Sequence, residues 1–171
     1  RTRELNEKGA RLARLVCPPG GFVAGSVGPT SYLPEEYGVG DNLATDADYL
    51  ETFTEQAGAL AEGGVDLFAV ETMMFPQEAV AAIKACRAAA DLPVMATMFF
   101  QYEEAHDRDR TMWGESPGEV AKSLLAAGAD VVGMNCGRGP VRAIVIIREM
   151  RAITDAPLVA YPNPGLPLTT G

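Results

Sequence analysis

An α/β fold with a parallel sheet is what the 171-residue sequence predicts, on three observations. Five short apolar segments alternate with segments of helical periodicity. No convincing two-residue hairpin turn joins any of them. A specific polar or thiol group stands directly after four of the apolar runs. Strands joined by helices rather than tight turns pair in parallel, because a parallel crossover needs the length that a helix supplies.

The elements follow in order. Arg1 to Val16 sets Leu5, Ala10, Leu12, Ala13 and Leu15 among Arg, Glu and Lys, a helix that Cys17-Pro18-Pro19-Gly20 must stop. Phe22 to Gly25 is a short apolar strand running into the turn residues of Ser26 to Thr30. Tyr49, Leu50, Phe53, Ala57, Leu60 and Ala61 recur at helical spacing until Gly63-Gly64. Val65 to Val70 reads as a buried strand, and Pro76 to Ala90 as a helix with Ala79, Val80, Ile83, Cys86 and Ala90 on one face, which puts Cys86 in the core. Pro93 to Met98 is a strand. The charged stretch Glu103 to Arg110 after it is too polar to expect burial. Ser116-Pro117-Gly118-Glu119 offers an N-cap, a first-turn proline and a capping-box acid for the next helix, up to Ala127. Asp130 to Met134 is a strand, Pro140 to Ile153 a helix, and Leu158 to Tyr161 the last strand.

Composition narrows the function. A net charge of −9 gives no basic surface from which to release phosphate counterions, which argues against nucleic acid. With 47% hydrophobic and 22% charged residues the chain is too apolar for disorder, and no apolar run approaches the ~20 residues that span a bilayer, so a cytoplasmic protein without membrane contact is expected. Cys17, Cys86 and Cys136 are too widely spaced for a disulfide framework or a local zinc knuckle. No Gly-x-Gly-x-x-Gly follows a strand to support dinucleotide binding. A complete (β/α)8 barrel needs ~250 residues, so the expected architecture is a partial barrel forming one domain over residues 1–171. A start at Arg1, inside a helical pattern and without Met, predicts a piece of a longer protein.

In such a fold the chemistry lies beyond the carboxyl ends of the strands, where the loops converge. Those ends carry Gly25-Ser26-Val27-Gly28-Pro29-Thr30, Glu71-Thr72, Thr97, Asn135-Cys136-Gly137-Arg138, and Pro162-Asn163-Pro164-Gly165. A carboxylate such as Glu71 after an apolar run is costly to bury unless it meets a cation or hydrogen-bond donors. A substrate ammonium group, a loop arginine or the following helix would each satisfy it. Cys136, before Gly-Arg-Gly and a helix start, is placed as a reactive or metal-bound sulfur or as a small hydrophobe; Cys17 and Cys86 are read as the latter. His106, alone in a charged loop, is read as solvated. Met112 and Trp113 are expected to cover the pocket or pack beneath the following helix, and Arg138 to be solvated.

These segments carry a resemblance. Val23–Thr30, Gly64–Thr72, Gly128–Cys136 and the run Tyr-Pro-Asn-Pro-Gly-Leu-Pro from Tyr161, with Thr111–Pro117 between, resemble in order and spacing the homocysteine S-methyltransferase family, most closely the homocysteine-binding barrel of its cobalamin-dependent members. The resemblance implies methyl transfer to the thiol of homocysteine, forming methionine. Zinc would be held by three cysteine sulfurs, and the methyl donor would be a small molecule or a cobalamin on a corrinoid module. It implies that Cys136 is the first zinc cysteine and that Glu71 receives the homocysteine ammonium. Asn163 becomes an oxygen ligand near the metal. Gly25, Ser26, Gly28, Thr97 and Asn135 line the substrate pocket.

The sequence also departs from the family. Its opening strand with Asp-Gly-(Ala/Gly) and its closing Gly-Gly-Cys-Cys are both missing, so the five strands correspond to the third to seventh of eight, a barrel cut at both ends. With one cysteine at the site, residues 1–171 alone are expected to bind zinc weakly or not at all. A zinc-free barrel with a binding or structural role is the second reading. A pterin-binding methyltransferase barrel is the third, disfavoured by the lack of the pterin-cradling Asp and Asn pattern.

Overall fold

The computed structural model describes residues 1–36, 38 and 40–164. Five helices, α1 (Thr2–Val16), α2 (Asp46–Glu62), α3 (Pro76–Ala89), α4 (Pro117–Ala126) and α5 (Pro140–Arg151), alternate with β1 (Ala24–Val27), β4 (Leu67–Met73), β5 (Val94–Met98), β8 (Val131–Cys136) and β9 (Leu158–Pro162). Two short strands, β2 (Leu33–Pro34) and β3 (Leu43–Ala44), pair in the β1–α2 connection; two more, β6 (Gln101–Glu103) and β7 (Arg108–Arg110), pair after β5.

The five principal strands form one sheet in the order β1-β4-β5-β8-β9, every pair parallel, as expected. That order follows the chain without reversal. An open doubly wound sheet reverses at a switch point and distributes helices over both faces, whereas here α1 packs on α2, α2 on α3, α3 on α4 and α4 on α5 in one continuous layer. The outer face of the sheet supplies Val27, Phe68, Val70, Val94, Ala96, Met98, Val132 and Met134, all buried against that layer. Curvature is visible in one contact: the Tyr161 hydroxyl of β9 lies 3.2 Å from Glu71 Oε2 of β4. Three strand spacings in a flat sheet are roughly 14 Å, so the sheet curls as a barrel wall does.

Local chemistry explains the element ends. Ser116 Oγ accepts from the Glu119 N–H while Glu119 Oε2 accepts from the Ser116 N–H, the expected capping box of α4. α2 starts at Asp46, three residues before its apolar periodicity, because Thr45 and Asp48 form a second capping box in a polar first turn. Of α1 only Ala10 is buried; Leu5, Leu12, Leu15 and Val16 are exposed. Gly63 lets α1 approach α2, since a Cβ there would fall 2.5 Å from that of Ala10.

At the amino end of the sheet one arrangement occurs twice. Asp66 accepts from the Val23 N–H at 2.6 Å and from Arg14 of α1, which also donates to the Gly64 carbonyl. Asp130 accepts from the Val94 N–H at 2.8 Å and pairs with Arg87 of α3, which also donates to the Gly128 carbonyl. The Val23 N–H, then Arg14, hold the Asp66 carboxyl below its ordinary range.

The stretch expected to be too polar for burial is exposed from Glu104 to Arg108 and folds as a β6–β7 antiparallel hairpin, with Asp107 in the left-handed region at φ 46°. Asp109 within it is only 1% exposed. The compensating charge comes from α5: Arg142 Nε lies 3.1 Å from Asp109 Oδ2, its Nη1 3.0 Å from Asp107 Oδ1, and its guanidinium 4.2 Å from the centre of the Tyr102 ring. His106 is exposed, as expected, with Nδ1 3.4 Å from Glu103. Arg138, exposed and expected to be solvated, pairs with Glu104 at 3.2 Å. No helix among the described residues is long and apolar enough to cross a membrane.

Candidate functional site

The inner face of the sheet is polar at its carboxyl end. Parallel register puts Ser26, Glu71, Thr97, Asn135 and Tyr161, one from each strand, on this face. They form one contiguous row of polar contacts. Ser26 Oγ donates to Glu71 Oε1, and the Tyr161 hydroxyl donates to Glu71 Oε2. Tyr161 lies 3.0 Å from Thr97 Oγ1, and Thr97 Oγ1 donates to Asn135 Oδ1 at 2.8 Å. Asn135 Nδ2 donates to Thr72 Oγ1 at 2.7 Å and points its amide at Cys136 Sγ, 3.4 Å away.

Glu71 meets two hydroxyls and, among the described residues, no cation. Of the three partners that the sequence left open, neither the loop arginine nor the following helix holds it. Both hydroxyls are neutral donors, one to each oxygen, which leaves the carboxylate with lone pairs to spare for a ligand. Tyr161 stays a neutral donor, since burial, with the nearby Glu71 charge adding to it, pushes the phenol up to about 12.

Two residues of this site have backbone conformations that L side chains rarely adopt: Thr72 at φ 61° and Cys136 at φ 62°. For a β-branched residue this is a true outlier, costing of order 1–3 kcal/mol unless its surroundings impose it. Thr72 sits in a bulge. β4 and β5 pair Val70 with Ala96 and then Met73 with Met98, three residues advancing against two. Both strained residues touch Asn135. Gly133, two residues before Asn135, permits the close packing of β8 on β9; a Cβ there would fall 1.8 Å from the Val159 carbonyl oxygen.

The remaining expected residues lie around this row. The Asn163 N–H donates to the Cys136 carbonyl at 3.2 Å, which brings the two together at the ends of β9 and β8. Gly28 follows β1 with open space at its Cα, whereas Gly25 faces α2, where a Cβ would meet Leu60 and Val65. From Gly165 onward the motif lies outside the described residues. Cys86 is buried in the core, and burial pushes its thiol up to about 12. Met112 and Trp113 are half exposed, Trp113 lying 6.0 Å from Phe75 at the start of α3. The sequence assigns no role to Thr72 or Tyr161. Tyr161 reads there as the last apolar residue of a strand, and Thr72 gains its role only through the bulge. A cavity of about 300 Å³ lined by Thr30, Tyr32, Asp48 and Tyr49, among others, opens beside α2 and contains neither Glu71 nor Cys136 in its wall.

Thr30 is held by an acid of α3. Its N–H and hydroxyl both donate to Glu78 Oε1, at 2.6 and 2.7 Å. Glu78 is 0% exposed, and its Oε2 has no hydrogen-bond partner among the described residues. Burial raises this carboxyl above the ordinary glutamate range, with the Thr30 hydrogen bonds opposing. The folded protein therefore keeps a proton that the unfolded chain releases. Its contribution to stability is complete below the ordinary glutamate value and is lost as pH rises through the raised one. Glu78→Gln is expected to flatten that decline; urea unfolding between about pH 4 and pH 8 checks it, and parallel profiles for the two proteins would contradict it.

Comparison with known proteins shows what the chain is similar to. The chain is 28% identical to methionine synthase of Mycobacterium tuberculosis (strain ATCC 25618 / H37Rv) across 98% of its length, covering 14% of that protein. It is 32% identical to betaine–homocysteine S-methyltransferase 1 of Danio rerio across 90% of its length, covering 35% of that protein. The chain thus spans well under half of these relatives. Among solved structures it resembles the apo form of the homocysteine methyltransferase MmuM from Escherichia coli, with a TM-score of 0.72 and 23% identity over 94% of this chain and 60% of that one, a likeness of fold. The family model described as homocysteine S-methyltransferase matches residues 1–171. The chain therefore belongs to the homocysteine S-methyltransferase family.

Proposed function

We propose that the inner-face site binds homocysteine and that the protein carrying these residues transfers a methyl group to its sulfur, yielding methionine. One observation carries the reading: Glu71 is an ionisable acid at a strand end, held by the hydroxyls of Ser26 and Tyr161 and by no cation of the described residues. An α-ammonium group is the complement it lacks. Cys136, at the neighbouring strand end and linked to Glu71 through Asn135, Thr97 and Tyr161, marks the side on which the substrate sulfur would lie. Likeness to methionine synthase supports a corrinoid or another methyl carrier as donor.

Zinc is the metal that the sequence resemblance implies, and one related structure is described as the metallated form of MmuM. The described residues do not fit a three-thiol centre by themselves. Cys136 is the one cysteine at the site, and no group of three or more His, Cys, Asp or Glu among the described residues could hold a metal. Cys136 is read as one donor to a site completed by groups outside those residues, and no step is derived through the metal. What these residues themselves do is bind and orient. Glu71 accepts the ammonium, Ser26 and Tyr161 fix both carboxylate oxygens, and Asn163 packs against the Cys136 turn.

Glu71→Gln is expected to raise the homocysteine Kd by roughly 10- to 100-fold, the worth of a hydrogen bond to a charged group. It should leave binding of 4-mercaptobutyrate, which lacks the ammonium, unchanged. Calorimetric titration of both ligands is the test; equal homocysteine affinity in the variant would overturn the assignment.

A further inference from the structure

We infer that Asn135 is a positioning residue that holds the Glu71–Thr72 bulge in its left-handed form and thereby sets where the Glu71 carboxylate meets a substrate ammonium. The inference rests on the reading of Glu71 just given, but its structural half stands apart from it.

Asn135 has nothing left to offer a ligand. Its oxygen accepts from the Thr72 N–H at 2.8 Å and from Thr97 Oγ1 at 2.8 Å; its nitrogen donates to Thr72 Oγ1 and is directed at Cys136 Sγ. The Thr72 N–H fixes which end of the amide is oxygen. An amide has two lone pairs and two N–H groups, and all four are engaged inside the protein, where the side chain is 3% exposed. Asn135 therefore acts through its neighbours.

What it does to them follows from strand geometry. Side chains alternate faces along a regular strand, so Glu71, Thr72 and Met73 in extended geometry could not place both Glu71 and Thr72 on the inner face while Met73 is buried on the outer one. The bulge resolves this. Register already gives Glu71 the inner face, where it meets Ser26 and Tyr161; the extra residue, Thr72 at φ 61°, faces Asn135, returns Met73 to the core with 0% exposure, and so fixes the peptide directly after Glu71. A threonine does not hold that backbone unaided. Two hydrogen bonds with one amide, whose oxygen accepts from the Thr72 N–H and whose nitrogen donates to the Thr72 hydroxyl, clamp it there.

The experiment compares wild type, Asn135→Ala, and Asn135→Ala combined with Thr72→Gly, since glycine takes a positive φ without a clamp. Three readouts are taken: the residue-72 φ by crystallography or NMR, the thermal midpoint, and the Kd for homocysteine and for 4-mercaptobutyrate. Expected for Asn135→Ala are a residue 72 that leaves the left-handed region and a homocysteine Kd raised by about tenfold, with 4-mercaptobutyrate unaffected. The double variant should recover much of both the homocysteine affinity and the midpoint. A role in stability alone would weaken both ligands equally, with no recovery by glycine. The inference is overturned if Thr72 keeps its positive φ in Asn135→Ala, if it relaxes without change in homocysteine affinity, or if the double variant is no better than the single one in midpoint and affinity. Should wild type bind no homocysteine, the proposed function fails. The present inference is then decided by whether the Thr72 φ and the Glu71 contacts to Ser26 and Tyr161 survive in Asn135→Ala, survival overturning it and loss sustaining it.

Discussion

Arg142→Ala is expected to cost about 3–5 kcal/mol of stability, because it strands the Asp109 carboxylate in a place that water barely reaches. The loss comes less from the pair's attraction than from the charge left behind. Arg142 also holds Asp107 and stacks on Tyr102, so the β6–β7 hairpin loses its tie to α5 at three points. Removing both partners should therefore hurt less: Arg142→Ala with Asp109→Ala is expected to be more stable than Arg142→Ala alone. Urea unfolding of the three proteins gives the comparison. A single variant within about 1 kcal/mol of wild type would mean that the hairpin solvates Asp109 by opening, and that the ion pair is ornamental.

In a protein that contains these residues, Cys136→Ser is expected to lower methyl transfer to homocysteine by on the order of 10²-fold or more, beyond what loss of an outer-sphere partner costs a metal site. Serine keeps the size and the Asn135 contact but not the soft thiolate donor. Cys17→Ser and Cys86→Ser should leave turnover close to wild type, since Cys86 lies in the core and Cys17 follows α1, outside the row of polar contacts of the site. Turnover and metal content measured together decide the matter. Full metal and normal turnover in Cys136→Ser would remove Cys136 from the site.

The strands and their parallel order are legible in the sequence because burial on the helical side leaves a run of apolar residues that a polar group ends. Glu71, Thr97 and Cys136 stand out for the same reason. Residues whose partner is distant in the chain are not legible. Asp109 looks like one more charge in an acidic-basic stretch, and only α5, 33 residues on, makes its burial tolerable. The start of α2 is hidden because its first turn is polar and its acid at the third position is Asp48 rather than Glu. Asn135 was expected among the groups that line the substrate pocket. That its amide is fully engaged depends on Thr72 and Thr97 arriving from two other strands, and the bulge that brings Thr72 there is a matter of register, which composition and periodicity do not encode.

Asp66 and Asp130 join neighbouring strands at the end of the sheet away from the site, each through a carboxylate shared between a backbone amide and an arginine. A strand anchored this way cannot fray from that end without also releasing the first amide of the strand beside it. Opening is thereby coupled between β4 and β1 and between β8 and β5, and slow hydrogen exchange is expected at this end of the sheet. The loops of the opposite rim are spared that duty, because the strands there are tied by their own side chains, Asn135 to Thr72 and Thr97 among them. These loops can exchange residues over evolutionary time, trading one donor, acceptor or shape for another, while the frame beneath them keeps its alignment.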